Sequence, residues 1–386
     1  MASAVGGAGI TLSVIVPAYR ADKTILRAIN SILLWPGDDM EVIVIDDGSD
    51  DYTAGIVREV TKVDARVRLL QQSNAGRSAA RNAGFCAARG EWVMFLDADD
   101  YLLADGIGKI REMTASSVSL VLFPVILSAR ENVVGYSDIS WKGWGTVAED
   151  RTLPASALRS FMIDPAYAPL SSGVPKRLEW YETNSAWSRL YRRKAVLRLS
   201  SKLGEGQAPF PVNLRFSEDK LFNLALLDLL GEEQVILSGH PVYYWDLGNS
   251  DTCAVVRVDD AKGLLPFKDA VNVLVKNDLL SMSERSLVFT REAISQFKRS
   301  MRLGSSDLHA SKRTWRSLLY DEGIRSCLGS VPCASMKESI RVKPICWLLR
   351  HEFISVAFMY ERSIFLVKKL FSESGWLRQL LSRSVG

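Results

Sequence analysis

The segment Phe95-Leu-Asp-Ala-Asp-Asp100 places three carboxylates directly after a run of apolar residues. Residues 91–96, directly before these carboxylates, are mostly apolar and in part aromatic or β-branched, which is typical of a short buried strand. A single small residue separates Asp97 from Asp99, so both carboxylates can converge on one hard divalent cation, which prefers oxygen ligands. A solvated loop with a helix cap at Asp100 is the structural alternative, because motifs this short often occur by chance.

Two earlier segments repeat the pattern of an apolar strand followed by polar residues. Met40 to Ile45 is followed by Asp46 and Asp47, and then by a glycine and a serine suited to a tight turn. Leu12 to Val16 is a third predicted strand. We expect it to stop at Pro17, because proline cannot donate a hydrogen bond to a sheet ladder.

Helical patterns lie between these strands. One apolar face is predicted from Ile25 to Leu33 and a second from Ile56 to Val63, with Asp50 and Asp51 as candidate caps. Strands and helices that alternate at this spacing predict an α/β fold with a Rossmann-like, doubly wound, mainly parallel sheet. Because ligands bind at the carboxyl ends of the strands in such sheets, the polar residues after all three strands should share one crevice.

Four motifs follow one another within about the first 115 residues. They are Ser13-Val-Ile-Val-Pro-Ala-Tyr19, Ile45-Asp-Asp-Gly-Ser-Asp50, Asn74-Ala-Gly-Arg-Ser-Ala-Ala-Arg-Asn-Ala-Gly84, and Gly90-Glu91 leading into Phe95-Leu-Asp-Ala-Asp-Asp100. Their order and spacing resemble the family 2 glycosyltransferases of the GT-A fold, and linked motifs are far more specific than any single one. The resemblance implies a nucleotide-sugar donor, most simply uridine-linked, a Mn²⁺ or Mg²⁺ ion, and transfer with inversion at the anomeric carbon.

The resemblance also implies roles for individual residues. Those expected to bind the nucleotide sugar are Pro17, Ala18, Tyr19, one of Asp46 and Asp47, Asp97 and Ala98. Asp97 and Asp99 would hold the metal ion. Arg77 and Arg81 open a predicted helix that extends to Arg89, so its first turn would present guanidinium groups and unpaired amides to an anionic ligand. A surface position is the alternative for both arginines and is preferred for Arg89.

A second group of motifs lies further along the chain. It comprises Asn184-Ser-Ala-Trp-Ser-Arg-Leu-Tyr-Arg-Arg193, Phe216-Ser-Glu-Asp-Lys-Leu-Phe222 and Pro241-Val-Tyr-Tyr-Trp245. These resemble the acceptor half of the same family, which implies that Asp219 is the catalytic base with Glu218 beside it. Stabilisation of the helix dipole is the structural alternative for this acidic pair. Trp187 and Tyr191 are helically spaced, and we expect either acceptor stacking or core packing.

The resemblance to this family implies a glycan or lipid-linked saccharide as the acceptor, in cell-surface polysaccharide synthesis. Inverting transfer needs only one carboxylate base, because the acceptor hydroxyl attacks once, opposite the leaving nucleoside diphosphate.

Two other classes of protein stay open. A haloacid-dehalogenase-like phosphatase also places Asp-x-Asp after an apolar strand. It usually has Thr or Val where this chain has Tyr101, and it leaves the Asp46-Asp47 strand unexplained. A non-catalytic nucleotide-sugar-binding protein would keep the donor motifs and lose the base. The role of Asp219 therefore distinguishes an enzyme from such a binding protein.

Length and composition predict one large domain with an extension: the chain has 386 residues, of which 47% are hydrophobic. The resemblance implies that the large domain is a GT-A domain over residues 1–245, with a donor half at about 10–115 and an acceptor half at about 116–245. Residues 246–386 are expected to form a mainly helical, basic extension. No signal peptide and no long apolar stretch are recognised, and the five cysteines lack Cys-x-x-Cys spacing, which together predict a cytoplasmic protein.

Positive charge is concentrated towards the C-terminus. From Phe297 to Gly386 there are 16 Lys and Arg against 7 Asp and Glu, a local charge of +9 against +4 for the whole chain. Apolar residues at helical spacing from Phe353 to Phe371, with Lys368 and Lys369 beside them, predict peripheral contact with the inner face of the cell membrane. Packing of this helix on its own domain is equally expected. Nucleic acid is not an expected partner, because no recognised nucleic-acid module accompanies the charge.

Overall fold

The computed structural model describes residues 9–127, 149–163, 184–246, 257–300 and 305–328, together with 345, 348–349, 356–357 and 359. These residues belong to two compact units. The first unit takes the described residues up to 246 together with 276–279, and the second takes 257–275 and those from 280 onwards. The domain boundary expected at residue 245 stays a prediction. Within the described part of the chain, no helix is long and apolar enough to span a bilayer.

Strands and helices alternate along the first unit. Its elements are β1 Leu12–Ala18, α1 Ile25–Ile32, β2 Met40–Asp46, α2 Thr53–Val63, β3 Val67–Gln71, α3 Arg77–Ala87, β4 Trp92–Phe95, β5 Tyr101–Leu102, α4 Gly106–Thr114, β6 Leu120–Leu122, β7 Val125–Leu127, β8 Arg151–Pro154, α5 Ala155–Ile163, β9 Arg189–Arg192, α6 Arg193–Leu203, α7 Glu218–Leu230, β10 Gln234–Leu237 and β11 Tyr243–Trp245.

The main sheet has eight strands in the order β3-β2-β1-β4-β9-β6-β10-β8. β3, β2, β1 and β4 are parallel, β9 runs antiparallel to both of its neighbours, and β8 is an antiparallel edge strand. A smaller sheet has the order β5-β11-β7. The predicted α/β fold with a mainly parallel sheet is therefore confirmed.

The central strands are apolar because both faces of the sheet are covered. Every residue of β1 and β2 is buried, as expected for parallel strands with helices on both sides. The expected stop at Pro17 is wrong, since β1 continues to Ala18. The backbone of Ile15 bonds towards β4, and Pro17, two residues later, has the same orientation. The pairing with β4 has already ended at Phe95, so the missing amide of Pro17 costs no ladder hydrogen bond.

The helices agree with the sequence patterns except near their ends. α1 buries the predicted Ile25, Ala28, Ile29 and Ile32. In α2, Asp51 accepts a hydrogen bond from the Thr53 amide (2.9 Å), whereas Asp50 forms an ion pair with Arg20. Val63 is 84% exposed, so its predicted place on the apolar face is wrong. It is the last residue of α2, where the chain already turns away at Asp64.

One other boundary differs from expectation. The helix predicted to reach Arg89 ends at Ala87. The apolar run from Val118 to Leu127 forms two short strands that belong to different sheets.

The second unit is helical where it is described. A 3₁₀-helix, Val258–Gly263, precedes α8 Leu264–Lys276, α9 Met282–Ser300, α10 Ser305–Leu319 and α11 Glu322–Cys327. Phe297 of α9 meets Trp315 of α10 edge to face, with ring centroids 5.1 Å apart. The expected helical extension is confirmed for these residues. The predicted membrane-binding stripe from Phe353 to Phe371 lies almost entirely outside the described residues.

A buried carboxylate ties the amino-terminal edge of the main sheet together. Glu41 of β2 is 1% exposed and accepts hydrogen bonds from Ser13 Oγ (2.8 Å), Arg68 Nη1 (2.8 Å) and Arg89 Nη2 (2.7 Å). Ser13 Oγ in turn accepts from the Gly90 amide at 2.8 Å. Burial acts to raise the pKa of Glu41, but the hydrogen bonds from Arg89 and its other partners outweigh burial and lower the pKa. We call these residues the Glu41 cluster.

We expect Glu41→Gln to lower the free energy of unfolding by about 1–3 kcal/mol at neutral pH, because it removes a buried charge that two arginines bind. The folded-state pKa of Glu41 is lowered, so its stabilisation is complete above the unfolded value of 4.5 and is lost as the pH falls through the folded pKa. Urea unfolding at several pH values measures this difference.

Glu59→Gln is the matched control, because Glu59 forms an exposed ion pair with Lys62 on α2. It should change stability by less than about 0.5 kcal/mol. A Glu41→Gln protein as stable as the parent at neutral pH would contradict the proposed importance of the cluster.

Candidate active site

Three carboxylates cluster where β4 ends. Oxygen atoms of Asp97, Asp99 and Asp100 lie within 4.8 Å of one another. Asp100 is 1% exposed and accepts hydrogen bonds from the Tyr243 hydroxyl (2.6 Å) and the Asp246 amide (2.8 Å). Asp97 and Asp99 are less buried, and hard oxygen donors at this spacing suit a divalent cation. The donor set therefore fits the predicted metal at Asp97 and Asp99, with Asp100 supporting the loop from behind.

The electrostatics of this cluster favour a cation. Burial acts to raise the pKa of Asp97, but the charges of Arg81 and Arg77 outweigh it and hold the pKa below its usual value. Burial, and then the charge of Asp97, raise the pKa of Asp99 to about 6. A bound cation would relieve this repulsion between neighbouring carboxylates.

The polar ends of β1 and β2 lie at the same edge of the sheet, as predicted. Pro17 and Ala18 are buried, while Tyr19 is 46% exposed. The Ala18 carbonyl accepts a hydrogen bond from the Asp47 amide at 2.8 Å. The exposed ring of Tyr19 is therefore the part of this segment that an incoming ligand can reach.

Asp46 and Asp47 shape the loops around this edge. Asp47 accepts hydrogen bonds from the amides of Ala75 (2.9 Å) and Gly76 (2.8 Å), directly before α3. Asp46 accepts from the Ser49 amide at 3.1 Å. Gly48, between Asp47 and Ser49, has φ +74°, and a Cβ there would lie 2.8 Å from the Asn74 nitrogen, so this turn requires glycine. Both carboxylates thus have partners within the chain, and their expected contact with a nucleotide stays a prediction.

The acidic pair opens α7, as expected from the sequence. The chain enters the helix through Ser217 at φ +64°. Asp219 Oδ2 accepts a hydrogen bond from the Ala186 amide at 3.0 Å. Burial, and then the charge of Asp219, raise the pKa of the neighbouring Glu218 to about 7.

Arg81 brings the two acidic groups together. Its Nη2 lies 2.9 Å from Asp97 Oδ1, and its Nη1 lies 2.5 Å from Asp219 Oδ1 and 3.3 Å from Glu218 Oε1. These partners are 16, 138 and 137 residues from Arg81 in the sequence. We expected Arg81 to face an anionic ligand, but the anions it contacts are carboxylates of its own chain. We call these four residues the Arg81 cluster.

Arg77 lies at the edge of this cluster. Its Nη1 is 3.8 Å from Glu218 Oε1, and its side chain is 37% exposed, whereas that of Arg81 is fully buried. Arg77 is therefore the arginine of the pair that still reaches the crevice.

The expected placement of Trp187 and Tyr191 on a helix is wrong. Tyr191 belongs to β9, and Trp187 precedes it, forming an isolated bridge with Phe95. Tyr191 is fully buried and its hydroxyl lies 2.9 Å from Asn223 Oδ1, so core packing is the interpretation that fits it. Trp187 stacks on Tyr243 with ring centroids 5.0 Å apart, and its expected contact with an acceptor stays a prediction.

Several residues that support the site carried no assigned role in the sequence. The Tyr243 hydroxyl bonds to Asp100 and accepts a hydrogen bond from the Asp97 amide at 3.2 Å. Arg27 Nη2 donates to the Asp99 carbonyl (2.7 Å) and to Asp246 Oδ2 (2.9 Å). The Pro241–Trp245 motif pointed to this region, but nothing on the exposed face of α1 singled out Arg27.

The chain is similar to known glycosyltransferases. Residues 13–153 match the family model "Glycosyl transferase family 2". The chain is 30% identical over 218 residues to "Uncharacterized glycosyltransferase EpsJ" of Bacillus subtilis, covering 55% of each chain. It is 43% identical over 99 residues to "Succinoglycan biosynthesis protein ExoO" of Rhizobium meliloti, covering 25% of this chain and 28% of the relative. It thus spans about half, or less, of the length of these curated relatives.

The fold has a counterpart among solved structures. S. aureus TarS 1-349, solved in complex with UDP-GlcNAc, matches with a TM-score of 0.62 and 18% identity over 92% of both chains. This likeness establishes a shared fold, the mainly parallel GT-A architecture. Residues 13–153, which carry the donor motifs, are in addition similar to the family 2 glycosyltransferases.

Proposed function

We propose that this protein is an inverting glycosyltransferase, which moves a sugar from a uridine diphosphate sugar to a glycan or lipid-linked saccharide in cell-surface polysaccharide synthesis. The observation that carries the proposal is that Asp219 and Asp97 contact the same buried guanidinium group. A candidate base and a donor-side carboxylate are thereby held beside one crevice. The family match of residues 13–153 and the UDP-GlcNAc complex of TarS support the donor class, and neither supports the phosphatase alternative.

On the donor side, the ends of β1 and β2 would hold the base and ribose. The residues concerned are Pro17, Ala18, Tyr19, Asp46 and Asp47, with Ala98 beside the Asp-x-Asp carboxylates. Asp97 and Asp99 would hold Mn²⁺ or Mg²⁺, which when bound offsets negative charge on the leaving diphosphate. Arg77 would add a cation at the open edge of the site, where it can approach the same phosphates.

On the acceptor side, Asp219 would take the proton of the attacking hydroxyl. Arg81 and the Ala186 amide each bind one of its oxygens, and each oxygen keeps a lone pair for that proton. The acceptor oxygen then forms a bond to one face of the anomeric carbon. On the opposite face, the bond between this carbon and the diphosphate oxygen breaks. The electron pair of the breaking bond leaves with the diphosphate.

Asp99→Asn should abolish UDP release and sugar transfer while leaving the fold intact, because an amide is a poor replacement for a carboxylate that ligates a metal ion. The measurement is UDP release from a panel of UDP-sugars, with and without saccharide acceptors, during titration with Mn²⁺ or Mg²⁺. Asp105→Asn is the control, since Asp105 is exposed before α4 and makes no side-chain capping bond. Full activity of the parent enzyme in excess chelator would exclude the assigned metal.

Asp219→Asn should lower kcat by about 10² or more with little change in the KM for the donor, since it removes a proton acceptor needed only in the transition state. Glu218→Gln should cost less. Steady-state kinetics on both variants measure the split between kcat and KM. An equal loss of donor affinity and turnover in Asp219→Asn would instead indicate a structural role, and unchanged turnover would exclude Asp219 as the base. Absence of turnover by the parent protein would favour a protein that only binds nucleotide sugars.

We further propose that the protein acts in the cytoplasm at the inner face of the membrane, to which its basic C-terminal region brings it. Each basic residue near an anionic surface contributes about 1 kcal/mol, so the full chain should sediment with anionic vesicles at low salt and not with neutral ones. Lys368→Glu/Lys369→Glu should weaken binding, whereas Lys194→Glu/Lys202→Glu on α6 should not. Failure of the full chain to sediment with anionic vesicles at low salt would contradict this proposal.

A further inference from the structure

Arg81 is held in place by an aromatic ring as well as by its carboxylate partners. Its guanidinium carbon lies 5.6 Å from the ring centroid of Phe210. The neighbouring Asn82 fixes the Phe210 backbone at both ends, donating from Nδ2 to the carbonyl (2.8 Å) and accepting from the amide (3.1 Å). The Phe210 ring stacks on Phe222 of α7 with centroids 4.1 Å apart. The aromatic ring that contacts Arg81 is therefore packed against the helix that carries Asp219.

The planar guanidinium fixes the two carboxylates relative to each other. Nη1 binds Asp219 and Nη2 binds Asp97, so the positions of both oxygens follow from one rigid group. An ammonium group at the same place would keep the positive charge but could not reproduce two directed contacts from a planar fork. The geometry of the fork, more than its charge, is what distinguishes arginine at this position.

We propose that Arg81 is a positioning residue for the reaction: it holds the Asp219 carboxylate at a fixed place relative to Asp97, and so aligns the base with the donor sugar. This inference rests on the proposed function, because it takes Asp219 as the base. It assigns Arg81 a role that acts through Asp219 rather than through direct binding of the donor.

The Glu41 cluster provides a matched control within the same chain. Arg89 binds the Glu41 carboxylate through two of its nitrogens, Nε at 3.0 Å and Nη2 at 2.7 Å, just as Arg81 binds carboxylates through two of its nitrogens. It does so at the opposite edge of the sheet. Arg81→Lys and Arg89→Lys therefore make the same chemical change at an arginine that binds carboxylates of its own chain, and only the first touches the base.

The test compares steady-state kinetics of the parent, Arg81→Lys and Arg89→Lys, with folding checked by thermal denaturation. Arg81→Lys should lower kcat by about 10–100-fold, the scale of loss from a misplacement of about 1 Å, with the donor KM and the metal requirement changed less than about threefold. Arg89→Lys should leave both kcat and KM unchanged. A rise in the donor KM with unchanged kcat would overturn the proposal and place Arg81 in donor binding.

A double-mutant cycle with Asp219→Asn identifies the residue through which Arg81 acts. If Arg81 works through Asp219, adding Arg81→Lys to Asp219→Asn should lower kcat by less than about twofold further, because residues that act as a unit are not additive. A full, multiplicative loss in the Asp219→Asn background would overturn the proposal. The proposed function fails separately, as absence of UDP-sugar turnover by the parent enzyme itself.

A second variant covers the case in which Arg81→Lys does not fold. Arg81→Gln/Glu218→Gln removes one positive and one negative charge together, so fewer uncompensated charges stay buried. Compared with Glu218→Gln alone, it should again lower kcat by at least about tenfold with little change in the donor KM. Equal kcat values for these two proteins would contradict the positioning role.

Discussion

A buried positive charge surrounded by carboxylates is the constraint on which the crevice depends. Arg81 is fully buried, and a guanidinium group removed from water is tolerated only where anions and hydrogen bonds replace its hydration. Asp97 comes from the end of β4, and Glu218 and Asp219 come from the start of α7. The requirement to neutralise one side chain therefore brings together parts of the chain that are more than 130 residues apart.

Ion pairs between arginines and carboxylates occur at both edges of the main sheet, but they have different roles. In the Glu41 cluster one buried carboxylate is bound by two arginines that extend into solvent, so its negative charge is fully compensated. In the Arg81 cluster one buried arginine faces three carboxylates, and Asp99 and Asp100 lie beside them. This excess of negative charge is what a cation and the cationic edge at Arg77 can balance. Structural and candidate catalytic ion pairs thus differ in their net charge.

The sequence predicted the parts of the fold that rest on local patterns. β1, β2 and β4 are mainly apolar, and the polar residues that follow them lie at one edge, as parallel strands require. Errors arose where tertiary context decided. Tyr191 was given a helical spacing although antiparallel pairing with β4 and β6 makes it part of a strand. Val63 and Pro17 lie at element ends, where local patterns are least informative.

The supporting contacts of the site could not have been derived from local sequence. Arg27 and Asp246 are 219 residues apart, and Tyr243 and Asp100 are 143 apart, so no periodicity or motif spacing connects them. Tyr243 nevertheless has a consistent physical role. Burial raises its pKa well above the ordinary value, which keeps its hydroxyl protonated and able to donate to Asp100. Its ring lies on Trp187, so the strand β11 that carries it fixes both the loop of the Asp-x-Asp element and the aromatic surface beside the acidic pair. A displacement of β11 would therefore move donor-side and acceptor-side groups together. The two halves of the crevice are thus connected by the packing of Tyr243, and also by the ion pairs of Arg81.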